Sequence, residues 1–285
     1  RYIFCKNGKW IVNPSTKNHV YQIGIRMRKI ILIYILLVTY LSAMSLWEVY
    51  EQSSPANGYD RYIILESGEV YTGGIGSTEE SIYIEGNGAV IDLQGGTGIW
   101  ISGDSQATGS LAIDRCTIFG GGSYGITISG YSTNSIINCN LINDNFGIQI
   151  SDSVNVTIKN CIFDENQYGV AIVGDQTTHS ITYCNAFVNE YDYMLNCLGW
   201  GSVWEQYVPE PNTGNMSRDP SFNNPSELDF SIISDSPCID AGDPEINDPD
   251  GTISDIGAIY FNQSESNSIN VNFFNGWNIV GLPLN

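Results

Sequence analysis

Basic residues are nearly missing from most of this chain. Of its 11 lysines and arginines, seven (Arg1, Lys6, Lys9, Lys17, Arg26, Arg28 and Lys29) precede Glu48, and only Arg61, Arg115, Lys159 and Arg218 follow it. All 31 aspartates and glutamates lie at or beyond Glu48. A region so acidic repels phosphate backbones, which argues against nucleic acid and anionic membrane surfaces as partners and leaves cations and neutral sugars. Histidine is scarce too, with two in 285 residues. His179 has no serine or cysteine motif around it that would make a triad, and it reads as a solvent-exposed turn residue. Zinc-ligand spacing, a phosphate loop and a dinucleotide fingerprint are all absent.

Long hydrophobic runs are absent as well. The strongest, Ile30 to Leu41, is about a dozen residues, short of the roughly 20 that span a bilayer. It follows Met27-Arg28-Lys29 and precedes the small residues Ser42-Ala43-Met44-Ser45. That is the three-part layout of a secretory signal peptide, expected over residues 27–45, so the mature chain is expected to begin near Leu46 and to lie outside the membrane. A retained membrane anchor is the alternative. Residues 1–26 precede a plausible start methionine, carry no recognisable folding pattern, and read as an upstream extension.

What the chain does have is a repeat. Cys116, Cys139, Cys161 and Cys184 stand 22 or 23 residues apart, and Ile113, Ile136, Ile158 and Ile181 precede each by three positions. Gly125, Gly147 and Gly169 form another column, each opening an alternating strand (Ile-Thr-Ile, Ile-Gln-Ile, Val-Ala-Ile), with Gly98-Ile-Trp-Ile one looser coil earlier. A period near 22, without a leucine signature, suits three short strands per coil. Coils then stack about 4.8 Å apart and equivalent positions become ladders. The alternation places Ile126, Ile128, Ile148, Ile150, Val170 and Ile172 inside and Thr127, Gln149 and Ala171 outside. Asn138 and Asn160 fall at a corner suited to positive φ, a ladder that Arg115 and Tyr183 are expected to interrupt.

These coils, and the run Ile84-Glu-Gly-Asn-Gly-Ala-Val-Ile-Asp92, resemble the right-handed parallel β-helix, or pectate-lyase-like, superfamily over roughly residues 58–260. The series Gly214–Phe222, Asp229–Ile232, Ser236–Asp243 and Asp255–Ala258 resembles the C-terminal segment of secreted or surface-anchored β-helix proteins, which implies export and display. The expected fold is therefore all-β: a right-handed, single-stranded parallel β-helix over 46–200, with C-terminal coils and a cap over 201–261. Residues 262–285 read as a polar linker and the start of a further β domain.

Candidate sites stay within this frame. Asp152 and Asp175 follow the glycine-led strands of neighbouring coils at apparently matching turns. Adjacent coils would hold them about 5 Å apart, near the carboxylate separation of a retaining glycosidase. Asp104 lies at a matching turn two coils below Asp152, with Tyr131 between. Turn aspartates with a purely conformational role are the competing reading. Lyases of the resembled superfamily imply a basic proton acceptor, often with calcium. Lys159 and Arg115 sit roughly 10 Å apart on two non-adjacent coils, which disfavours them as one pair. Asp243, Asp248, Asp250 and Asp255 offer hard oxygens for calcium, although Asp248-Pro-Asp-Gly251 also makes a turn without metal. Trp100, at an outward strand position, is the leading candidate for stacking on a sugar. Tyr131, Trp200 and Trp204 are further candidates, the two tryptophans alternatively capping the open solenoid end. The four ladder cysteines read as core, while Cys197 and Cys238 are free to pair with each other.

The functional expectation is an exported or cell-surface protein, monomeric, that binds a polysaccharide or other glycan or mediates adhesion. The alternative is a polysaccharide-degrading lyase or glycoside hydrolase with an acidic, calcium-assisted groove.

Overall fold

The structure, a computed structural model, describes residues 3–6, 9–12, 43–103, 109–174, 177–196, 204–210 and 212–266, with the backbone alone described at 3–6, 9–12, 265 and 266. It divides into two units, Arg1–Ala43 and Met44–Asn285. In the first, Ile3–Lys6 and Lys9–Val12 pair as an antiparallel hairpin. The stretch is therefore not patternless: its strands flank Asn7-Gly8, a dipeptide that favours tight hairpin turns.

In the second unit, alternating short strands wind through six coils, and almost every strand pairs in parallel with its counterpart one coil away. The first face carries Tyr59–Ile64, residues 81–85 and 110–114, Thr133–Ile137, Asn155–Lys159 and Thr178–Thr182. The second carries Val70–Thr72, residues 89–92 and 116–119, Asn140–Ile142, Ile162–Asp164 and Asn185–Phe187. The third carries Gly76–Ser77, Ile99–Ile101, Tyr124–Ile128, Phe146–Ser151, Tyr168–Val173 and Tyr191–Asn196. This is the expected parallel solenoid.

Alternation along the strands fills its interior. Ile126, Ile128, Ile148, Ile150, Val170 and Ile172 are buried, as are Ile113, Ile136, Ile158 and Ile181 and all four ladder cysteines. Each such aliphatic side chain contributes roughly 1.5–3 kcal/mol of burial against the entropy of ordering it. Cys238 is also a free, buried thiol, to which Asn185 Nδ2 donates at 3.3 Å. The disulfide with Cys197 is thus not formed; Cys197 itself lies outside the described residues.

A left-handed residue turns the chain from the first face to the second in five successive coils: Asn87 (followed by Gly88, also left-handed), Arg115, Asn138, Asn160 and Tyr183, these five with φ between 49° and 54°. Arg115 and Tyr183 therefore adopt the corner conformation and do not interrupt it. What they lack is the side-chain chain of donors, in which Asn160 Nδ2 donates to Asn138 Oδ1 (3.0 Å) and Asn138 Nδ2 to Asp114 Oδ1 (2.8 Å).

The glycine column has a different cause. A Cβ on Gly147 would sit 2.7 Å from the carbonyl oxygen of Gly169, and one on Gly125 would sit 2.9 Å from that of Gly147. Gly98 and Gly74 would collide in the same way with the glycine one coil further on. Here backbone meets backbone, and no side chain fits between them.

A second polar ladder follows the second face. Asn189 Oδ1 accepts from the Asn166 amide (3.0 Å), Asn166 Oδ1 from the Asp144 amide (2.9 Å) and Asp144 Oδ1 from the Gly121 amide (2.5 Å). Asn166 and Asn189 donate onward to the carbonyls of Leu141 and Phe163. By register the matching acceptor for Asp144 is the carbonyl of Ile118. An ionised carboxylate cannot donate to it, and Asp144 Oδ2 is buried without a partner.

Helix α1 (Leu46–Gln52) closes the first coil with Leu46 and Tyr50. At the far end Glu205–Gln206 pairs antiparallel with Met194–Leu195, and Tyr207 packs on the core. Beyond it the chain adds no further complete coil. Met216 bridges Asn185, Phe230 packs among Val90, Phe119 and Ile142, and the chain then returns to bury Cys238 beside Asn185. It ends along the flank, where the amide of Asp243 donates to Asn160 Oδ1 and that of Ala258 to Asn140 Oδ1. Residues 212–261 thus form a strap across the second face where coils were expected, because outward Val90, Phe119, Ile142 and Ile162 give it an apolar seat.

Two outcomes follow from these ladders. Gly147→Ala forces a Cβ against the Gly169 carbonyl and is expected to destabilise by about 1–3 kcal/mol, measured by denaturant unfolding; an unchanged midpoint refutes the contact argument. For Asp144, burial pushes the carboxyl well above the ordinary carboxylate range, against the opposing bond from the Gly121 amide. A folded value above the unfolded one, about 3.9, means that this contribution is full below that pH and is lost as pH rises through the folded value. Asp144→Asn is therefore expected to raise the melting temperature at neutral pH and flatten its decline above about pH 4. An unaltered pH profile contradicts this assignment.

Candidate functional site

The third face presents one outward column: Gly76, Trp100, Thr127, Gln149, Ala171 and Met194. Trp100 occupies the middle of Ile99–Ile101, whose two isoleucines point into the core, so alternation alone sends its side chain out. Its amide donates to the Ile75 carbonyl at 2.9 Å, which fixes its height on the solenoid. The indole then lies across Gly76, in the space a Cβ on that glycine would occupy. The side chain is 36% exposed. One face of the ring is thus taken by the sheet, and exposed surface remains on a rigid strand.

Among the described residues, the side chains level with this ring are neutral. Thr127 is level with it one coil on, and Thr127 Oγ1 donates to Gln149 Oε1 at 3.1 Å. Ser102 and Ser129 stand just past the ends of these two strands. Further along, Gln149, Ala171 and Met194 are buried, so the accessible part of the column is the Trp100 end. The alternation argument placed Thr127, Gln149 and Ala171 correctly outward but did not foresee that the last two are covered.

A second aromatic set flanks this face. Phe146, Tyr168 and Tyr191 stack ring on ring, with centroids 4.7 and 5.2 Å apart, and Trp204 lies against Tyr168 at 5.7 Å. Ring faces spent on each other are not available to a sugar. Trp204 therefore joins the closure of the C-terminal end, beside the Glu205–Gln206 strand, which is the capping alternative. The signal was legible: an aromatic residue precedes Gly125, Gly147 and Gly169. Tyr131 is 53% exposed on the turn after the third face. Trp200 lies outside the described residues.

Of the expected carboxylate pair, only Asp152 lies among the described residues. Pairing sets Ser151 level with Val173, so Asp152 is level with Gly174. Asp175 and Asp104 lie outside the described residues. Asp152 is exposed, has φ of 66°, and occupies the position that is Gly130 below it and Gly174 above, both at 98°. Its Oδ2 accepts from the Gly130 amide at 3.2 Å, and Thr177 Oγ1 donates to its carbonyl at 2.9 Å. These contacts give Asp152 a turn-forming role.

The four aspartates of the proposed calcium site are also drawn apart by other bonds. Asp243 Oδ2 accepts from Lys159 Nζ at 2.5 Å, and this holds the Asp243 carboxyl below the usual carboxylate range. Asp248 Oδ2 accepts from the Asp255 amide, and Asp250 from Thr252 and the Gln263 amide. Asp255 uses both oxygens, for the amides of Asp240 and Phe261, while burial lifts its pKa to about 6. Among the described residues no three His, Cys, Asp or Glu side chains converge as metal ligands. In this arrangement the four carboxylates fasten the turns of the strap.

The remaining cations and the histidine separate similarly. Lys159 anchors the strap through Asp243. Arg115 lines a cleft of ≈ 550 Å³ with Glu66, Asn87 and Tyr260 and makes no ion pair within 4 Å among the described residues. His179 is not an exposed turn residue. It sits half-buried in Thr178–Thr182 with its ring edge-on to Tyr207 at 5.1 Å, and burial lowers its pKa.

Comparison with known proteins adds the fold and stops there. No curated protein and no solved structure matches the chain. Residues 67–208 match the family described as the right handed beta helix region. That span covers most of the six stacked coils described above, and with their parallel pairing it places this chain in the right-handed β-helix family.

Proposed function

We propose that this is an exported β-helix protein that binds a neutral polysaccharide through the Trp100 platform and does not cleave it. The observation that carries the reading is the indole seated on Gly76. A flat, immobile aromatic surface with hydroxyl and amide groups beside it suits the apolar face and the hydroxyls of a pyranose ring, and little ordering entropy remains to be lost on binding. The scarcity of basic residues beyond Glu48 speaks against anionic polymers as ligands, since long-range repulsion slows and weakens their approach.

The test is a panel of neutral and acidic polysaccharides, read by affinity electrophoresis and calorimetry alongside assays for reducing ends and unsaturated products. Trp100→Ala is expected to weaken binding of the preferred polymer at least tenfold, about 1.4 kcal/mol. Gly76→Val, which removes no contact to ligand but lifts the indole from its seat, is expected to do the same. Trp204→Ala leaves affinity unchanged if the protein folds. Equal binding by the Trp100 variant sinks the platform.

Asp152 separates binding from hydrolysis. Asp152→Gly supplies the residue its neighbours use at this left-handed position and is expected to keep or slightly raise the melting temperature, by reason of relieved backbone strain. It is also expected to leave the polysaccharide unaltered in both proteins. Reducing ends or unsaturated products released by the unmodified protein and not by this folded variant restore the enzyme reading.

A further inference from the structure

The export reading leaves open where the leader ends, and a small residue stands directly before two bonds. One is Ser45–Leu46, with Ser45 first and Ala43 third before it; the other is Ala43–Met44, with Ala43 first, Ser42 second and Leu41 third. We propose that the leader is removed at Ala43–Met44, so that the mature protein begins with Met44. This rests on the export reading above. In the reaction, water adds to the Ala43 carbonyl carbon and the C–N bond breaks. Ala43 leaves as a carboxylate, and the freed nitrogen takes up a proton to become the Met44 ammonium.

Four features of the folded domain choose between the bonds. Met44–Ser45 is a strand of the solenoid, paired in parallel with Tyr71–Thr72 at the open edge of the second face. Ser45 is the N-cap of α1, extended at φ −71° and ψ 133°, and its amide donates to Glu48 Oε2 at 3.4 Å. Leu46 is fully buried and begins the helix that closes the first coil. Met44 is 53% exposed, as a chain end should be, and the compact unit itself starts there.

A cut after Ser45 would strip the edge strand, remove the cap, and place a positive ammonium on the first residue of α1, where the helix dipole disfavours it. A cut after Ala43 leaves all three intact and puts the ammonium two residues upstream of the helix, on a strand end. Peptidase action precedes folding, but only one product carries a complete closure for the solenoid's first coil.

The full chain, expressed in a bacterium competent for secretion, is collected outside the cytoplasm and its first residue read by terminal sequencing and intact mass. The expected terminus is Met44. A terminus at Leu46, or an exported protein that keeps residues 27–43, overturns the proposal and leaves export standing. Confinement to the cytoplasm with the leader uncut overturns the export reading along with it. Ser45→Asp sharpens the choice, because aspartate still caps a helix but does not suit the position just before a leader-peptidase cut. The variant is expected to be processed normally to Met44, and accumulation of its uncut precursor points to the Ser45–Leu46 bond. A mature protein prepared from Leu46 onward is expected to melt about 3–8 °C below one prepared from Met44; equal melting removes the structural basis of the choice.

Discussion

The distance between one coil's backbone and the next governs this structure. At Gly74, Gly98, Gly125, Gly147 and Gly169 the chain passes so near the following coil that even a methyl group would strike a carbonyl oxygen. That approach fixes the register along the third face, and a shift by one residue would turn every inward isoleucine outward. Once register is fixed, equivalent residues must stack on equivalent residues. The cysteine ladder, the asparagine chains and the aromatic stack are then consequences of repetition, each tuned to what the place allows: small and apolar inside, amide-bearing at corners, and aromatic at the outer edge.

The same constraint explains which features could be read from the sequence. Inward aliphatic positions, the cysteine column and the glycine column recur at a nearly constant step, so periodicity alone located them. The corner conformation was legible only where asparagine marked it. Arg115 and Tyr183 adopt the same φ because the coils on either side impose it, and no local propensity announces that. The turn after the third face was misread by one position: Asp152 is five residues on from Gly147 and Asp175 six on from Gly169, and the pairing of Ser151 with Val173 sets Asp152 level with Gly174.

The strap was harder still. Its aspartates resemble a cation site on paper because carboxylates close in sequence satisfy the first condition for calcium, but the second condition, convergence on one point, is a property of the folded backbone. Here each carboxylate has found an amide or Lys159 instead. Asn160, read from the sequence as a corner residue, is also a docking point for the strap, together with Asn140 and Asn185. Of the aromatic candidates, Trp100 was found by alternation, whereas the feature that makes it a platform, the missing side chain at Gly76, lies one coil away and carries no sequence signal of its own.

The proposed export and the free thiols pull against each other, because oxidising compartments convert paired or reactive cysteines to disulfides. Burial resolves it. Cys116, Cys139 and Cys161 are pushed well above the ordinary thiol range by desolvation, and Cys238 to about 11, so the reactive thiolate is scarce at neutral pH. Access is closed as well: the ladder thiols lie inside the coils and Cys238 lies under the strap. A thiol in that state behaves as a small apolar side chain, and exposure requires the coil or the strap to open. Resistance to oxidation is therefore set by the stability of the stack, which returns the argument to the glycine column: loosening the register there would expose both the core and its chemistry.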